Sequence, residues 1–123
     1  MADHPNVAML RVAHEAWGRG DMQAMADLLH EDVVWHEIGN PEPVRGRAAL
    51  AARAGGSDFE ISGSVHDILA NDDHAVALVN AVARRGDRTF EYRTAEIYHL
   101  RDGKIVERWA FSDDTAAIVA FFA

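Results

Sequence analysis

The sequence predicts an α+β fold in which helices cover one face of a curled antiparallel sheet, and three observations carry that prediction. The first third has helical periodicity, with apolar positions spaced for one face of a 3.6-residue repeat. From Phe59 onward the pattern changes to four strand-like stretches, 59–69, 74–84, 88–100 and 104–111. The breaks between them are short: Asn71-Asp72-Asp73, Gly86-Asp87 and Asp102-Gly103. Short turns between consecutive strands force antiparallel pairing, so helices first and a meander after give an α+β arrangement.

Each element has its own local reason. Pro5 suits a first helical turn, and Val7, Leu10, His14 and Trp17 follow on one face until Gly18 and Gly20 end the helix. Asp21 is an N-cap for a short second helix with Met22, Met25, Ala26 and Leu29 as its buried stripe. Residues 32–38, rich in β-branched and aromatic side chains and closed by Gly39-Asn40-Pro41, read as a strand. An alanine-rich helix at 48–54 ends at Gly55-Gly56. The later strands exceed the usual ~5–6 residues, so the sheet should twist and curl into a cone with a hollow mouth. Gly63 is a candidate bulge, and Ser112 or Asp113 caps a last helix presenting Ile118, Phe121 and Phe122.

Composition narrows the function. The chain has 123 residues, one domain's worth covering 1–123, and 49% of them are hydrophobic, enough for a core. With no cysteine there is no disulfide framework, thiolate metal site or cysteine nucleophile. A formal charge of −8, with Lys104 the single lysine, disfavours nucleic acid and anionic membrane as partners. No apolar run approaches the ~20 residues of a membrane span, and the first residues lack a signal-peptide pattern, so the expected compartment is cytoplasmic. The histidines show no metal-binding spacing and there is no glycine-rich phosphate loop, so neither metal nor other cofactor is expected.

The motifs Ala16-Trp17-Gly18-Arg19-Gly20-Asp21, Glu31-Asp32-Val33-Val34-Trp35-His36, Arg45-Gly46 and Asp102-Gly103-Lys104-Ile105-Val106-Glu107, in this order, resemble the cone-shaped fold of nuclear transport factor two, ketosteroid isomerase and the SnoaL-like polyketide cyclases. The resemblance spans essentially the whole chain. It implies an apolar pocket, cofactor-independent chemistry or simple binding, and a homodimer. The fold hosts many activities, so function rests on the site.

Glu96 stands out by pattern alone. One face of 88–100 carries Phe90, Tyr92, Thr94, Glu96, Tyr98 and Leu100, an aromatic face with a carboxylate in it. Desolvation there would raise its pKa and let it act as an acid or donor, whereas pairing with a buried arginine or a tyrosine hydroxyl would make it structural. The resemblance places Glu96 where ketosteroid isomerases keep a protonated acid, and Glu37 where they keep the base. Trp35 shares the Glu37 face, and His36 points the other way by strand alternation. A solvated strand end is the plain alternative for Glu37. Asp113, four residues after Trp109, matches the catalytic aspartate of SnoaL-like cyclases, and equally the start of a helix.

His14 on the apolar helix face is either a satisfied core residue or a ligand-positioning group. The oxyanion-hole tyrosine of ketosteroid isomerase would fall at Ala13, leaving Tyr98 as a substitute donor. Trp17, Trp35, Phe90, Tyr98 and Trp109 either line the pocket or fill the core, and His36 is the remaining candidate contact. The small face Ala75, Ala77, Val79, Ala81 and Ala83 either leaves room inside or admits a second subunit outside. The resulting expectation is proton transfer next to a carbonyl on a hydrophobic small molecule, with Glu37, Glu96 and Asp113 catalytic. Sequestration of an apolar metabolite is the alternative. Epoxide hydrolysis ranks last, for want of an acid–Arg–acid constellation.

Overall fold

The computed structural model describes residues 3–54 and 58–123. In chain order these form α1 (Pro5–Gly18), α2 (Met22–Ala26), β1 (Leu29–Trp35), β2 (Val44–Arg45), α3 (Arg47–Ala54), β3 (Glu60–Ala70), β4 (His74–Arg85), β5 (Arg88–Arg101), β6 (Lys104–Ser112) and α4 (Thr115–Phe122). The expected end of α3 at Gly55-Gly56 and the first two residues of the N-terminal reading lie outside the described residues.

Six strands make one curved, open sheet in the order β2-β1-β6-β5-β4-β3. The β3–β6 meander pairs antiparallel throughout, as the short turns require, while β1 joins β6 in parallel. A parallel neighbour needs a long crossover, and the chain from β1 to β6 supplies one.

Helix α1 starts where Pro5 sits and carries an N-cap that the sequence did not advertise. The His4 ring accepts from the Asn6 amide at 3.1 Å. The buried side of α1 is Val7, Leu10, Ala13 and Ala16, with His14 and Trp17 half-buried at its edge. It packs on the inner sheet face, where Val7 and Leu10 join Ile68, Ala75, Ala77, Val79, Tyr98, Leu100 and Ile105, closed from the β1 side by Leu29 and Val33. Asn6, itself buried, ties α1 to the β3–β4 turn by donating to the carbonyls of Asn71 and Asp72.

The small face of β4 is the inner one: Ala75, Ala77, Val79, Ala81 and Ala83 are all buried. This resolves the two-way reading of that stripe, because small side chains let the helical layer approach the curled sheet.

Several expectations need correction. β1 begins at Leu29, so Leu29 is a core strand residue rather than part of a helical stripe, and Glu37 falls beyond the strand's end. Gly63 pairs regularly with Ala81; the bulge lies between Val65 and Asp67. Gly63 is needed instead for close packing, since a Cβ there would meet Val79 Cγ1 at 3.2 Å, the Asn80 carbonyl at 3.3 Å and the Trp17 ring at 3.4 Å. The cap of α4 is Asp114, whose carboxylate accepts from the Ala117 amide at 3.0 Å, rather than Ser112 or Asp113.

Candidate functional site

The inner face of β5 runs Phe90, Tyr92, Thr94, Glu96, Tyr98, Leu100, as its alternation predicts, and the Glu96 side chain is only 12% exposed. The cluster around it draws on three elements. Tyr98 donates its hydroxyl to Glu96 Oε1 at 2.7 Å, and Arg108 of β6 brings Nη2 to the same oxygen at 3.2 Å. Thr94 donates to Oε2 at 3.3 Å, the weaker contact, so this second oxygen keeps acceptor capacity. His14 of α1 places Nε2 3.3 Å from the Tyr98 hydroxyl.

Arg108 is the member that sequence reasoning missed. Its Nη1 donates to the His36 carbonyl at 3.0 Å, its guanidinium lies 4.6 Å from the Trp35 ring centroid, and its buried Nε has no hydrogen-bond partner. A buried donor without a partner is uncommon and marks a place where another molecule can bond. The cause of the oversight is a register shift. His99 faces Glu107 while Leu100 faces Ile105, so Val106 is an extra residue on β6. Plain alternation from Ile105 would turn Glu107 and Trp109 inward, but the bulge reverses the phase and turns Arg108 in and Trp109 out.

The charge states follow from this packing. Burial pushes the Glu96 carboxyl up, but the Arg108 guanidinium, His14 and hydrogen bonds from Tyr98 and Arg108 outweigh it and hold the group below its ordinary range. Glu96 is therefore an ionised carboxylate, and the expectation of a raised pKa and a protonated acid is corrected. Burial lowers His14, partly opposed by the Glu96 charge and assisted by Arg108, so the imidazole is neutral at pH 7 and Arg108 is the cation that matters. Burial, followed by the Glu96 charge, raises the Tyr98 hydroxyl well above its usual value and keeps it a donor.

The other predicted residues go elsewhere. Glu37, half-buried, pairs with Arg53 of α3 at 2.6 Å and accepts weakly from Asn40. Trp35, expected on the Glu37 face, lies against the Arg108 guanidinium. Asp113 is exposed, accepts from the Arg93 amide at 3.2 Å, and lines an open groove of about 840 Å³ with Ser62, Ser64, Asn80, Glu91 and Arg93. These strand residues alternate with the inner face, so Asp113 lies outside and does not join Glu96.

His36 and Trp109, expected as ligand contacts inside, stack on each other on the outer face, 5.0 Å apart and 4° from parallel. His36 also pairs with Glu107 at 2.8 Å. Trp17 lies over Gly63, and Phe90 stacks with Tyr92 and Phe121. The side of the sheet on which the hollow was expected carries aromatic side chains at one end and the four-residue polar cluster of His14, Glu96, Tyr98 and Arg108 beneath them. Among the described residues no group of three or more metal-ligating side chains is placed to hold a metal ion.

Comparison with known structures gives the same architecture. Bal32a, from a soil-derived mobile gene cassette, superposes with a TM-score of 0.85 at 22% identity, covering 96% of each chain. A Xanthomonas campestris protein of unknown function with a cystatin-like fold gives 0.85 at 24% identity, over 98% of this chain and 99% of that one. TerC, co-crystallised with polyporic acid, gives 0.84 at 16% identity, over 97% and 98%. At these identities the likeness is one of fold. No curated protein matches the sequence significantly. The family model described as a SnoaL-like domain matches residues 10–108, and the chain therefore belongs to the SnoaL-like family.

Proposed function

We propose that this protein is a cofactor-independent catalyst of proton transfer at a carbon next to a carbonyl, acting on a hydrophobic small molecule. The observation that carries the reading is the buried pairing of an ionised Glu96 with an Arg108 whose Nε–H is unclaimed. Glu96 Oε2, bonded only by Thr94 at 3.3 Å, is the base that takes the proton. The Arg108 Nε–H donates to the carbonyl oxygen as negative charge develops on it, a contribution that gains strength where water is excluded. Tyr98 and the neutral His14 hold the carboxylate in place and do not compete as acids. This exchanges the roles expected from the sequence, in which Glu37 was the base and Glu96 the acid.

Exchange of α-protons of apolar ketones into deuterated solvent, followed by NMR, tests the assignment. Glu96→Gln should lower the exchange rate by about 10²–10⁴-fold. Glu37→Gln, with its partner Arg53 on the surface, should leave it within a few-fold. Undiminished exchange in Glu96→Gln with loss in Glu37→Gln would move the base to Glu37.

A second reading is sequestration of an apolar metabolite without turnover. It is favoured by the balance of the cluster, in which both Glu96 oxygens already accept hydrogen bonds. The structurally similar TerC was co-crystallised with polyporic acid. Ligand-induced stabilisation that survives replacement of Glu37, Glu96 and Asp113 together would select it. We also propose a homodimer through the outer sheet face, where Leu69 and Phe111 are 56% and 58% exposed.

A further inference from the structure

We infer that α4 is the gate to the buried cluster, held shut by Arg85 and Arg88 and opened to admit an apolar, ring-bearing ligand. The inference rests on the reading that Glu96 and Arg108 meet a ligand, and it identifies the route by which one arrives.

The polar cluster lies between two apolar layers. At one end of the inner β5 face, Tyr98 and Leu100 merge with the core. At the other end, Phe90 and Tyr92 are covered by α4: Phe121 stacks on Phe90 at 5.4 Å, and Phe122 meets Tyr92 edge-on at 6.4 Å and Phe59 at 4.8 Å. Displacing Phe121 and Phe122 uncovers Phe90 and Tyr92 and, directly beyond them on the same face, Thr94 and Glu96. A flat apolar ring can take the place of the displaced phenyl groups against Phe90, while a carbonyl oxygen on it reaches Arg108.

The way α4 is fastened fits a gate better than a core element. It has eight residues, too few for a stable helix by itself, and Ile118 is its one fully buried side chain. Its far end is held by two partly exposed arginines of the β4–β5 hairpin. Arg85 donates to the carbonyls of Phe121 at 3.2 Å and Ala123 at 2.7 Å; Arg88 donates to the Phe121 carbonyl at 2.7 Å. The Arg88 guanidinium also lies 4.8 Å from the centroid of the Phe121 ring. Its outer side touches the loop after β1, where Val119 packs so closely on Gly39 that no Cβ would fit. Small stabilisation, exposed hydrogen bonds and an end-on latch are the properties of segments that open locally.

A single thiol placed under α4 tests this, since the chain has no cysteine of its own. Ala83 is fully buried and pairs with Phe90, on which Phe121 of α4 stacks. In an Ala83→Cys variant the rate of alkylation by N-ethylmaleimide reads access to the layer that α4 covers. Loosening the latch with Arg85→Ala and Arg88→Ala should raise the rate about tenfold, corresponding to ~1.4 kcal/mol of lost latch stability. The rate should depend only weakly on urea, as expected for opening of one helix.

An unchanged rate in the loosened protein overturns the gate. So does a rate whose urea dependence equals that of global unfolding, because the thiol would then be reached only by unfolding. Ala81→Cys, opposite Tyr92, serves if Ala83→Cys does not fold. The assay needs no substrate, so loss of the Glu96 chemistry would leave its result untouched, and failure of the gate would leave the Glu96→Gln prediction standing.

Discussion

Arg108 and Glu96 are each other's counter-charge, 13% and 12% exposed, and removing either strands the other in the interior. Arg108→Met should destabilise the fold by about 3–5 kcal/mol, and Glu96→Gln together with Arg108→Met by less than the sum of the single changes. A urea-denaturation double-mutant cycle measures this, and strict additivity would show that the pair is not coupled. The same cluster sets the acid limb of stability. The folded pKa of His14 is lowered from 6.5, so below about that pH the unfolded chain binds a proton that the folded one refuses, and stability falls. Glu96 is lowered from 4.5, so its contribution is present above that value and disappears as the pH drops through the depressed folded one. Urea midpoints between pH 8 and 2 should decline in two stages, with His14→Asn removing the upper and Glu96→Gln the lower. Of these residues, Glu96, Tyr98 and His14 were legible from strand alternation and helix spacing. Arg108 was not, because one extra residue at Val106 inverts the face on which everything after it lies.

At the scale of elements, turn chemistry and periodicity located all four long strands to within a residue or two at each end, because Asn-Asp-Asp, Gly-Asp and Asp-Gly breaks leave few other ways to fold a meander. The boundary between α2 and β1 moved because Leu29 satisfies both a helical stripe and a strand, and pairing with Ile105 decides for the strand. Gly63 illustrates a residue whose importance was visible but whose reason was not: its backbone is regular, and its missing side chain makes space for Trp17 on α1. Gly63→Ala should lower stability by about 1–3 kcal/mol by overpacking that contact. Thermal unfolding measures the loss, and Trp17→Leu in the same chain should recover part of it. A full loss persisting without the Trp17 ring would place the strain in Val79 and the Asn80 backbone instead.

The whole molecule presents two faces of different character. The inner one is covered by α1 and α4; the outer one exposes Leu69 and Phe111 and has the half-buried Val76, Leu78, Val82 and Ile97 on neighbouring strands. The proposed dimer would bury this apolar face, and the inward turn of the alanine stripe removes the small side chains from that contact. Sedimentation equilibrium should give a dimer, and Leu69→Glu with Phe111→Lys a monomer; a monomeric parent would leave this face without a partner of its own kind. Sequence alone determined the fold class, the antiparallel meander, the burial of Glu96 and the absence of thiol chemistry, because periodicity, turn residues and composition act locally. Tertiary structure alone decided that Glu96 is ionised, that Arg108 is its partner, that Asp113 and Trp109 face outward and that α4 covers the inner face. Those outcomes depend on strand register and on charges brought together from distant parts of the chain, and neither is encoded within a single turn or strand.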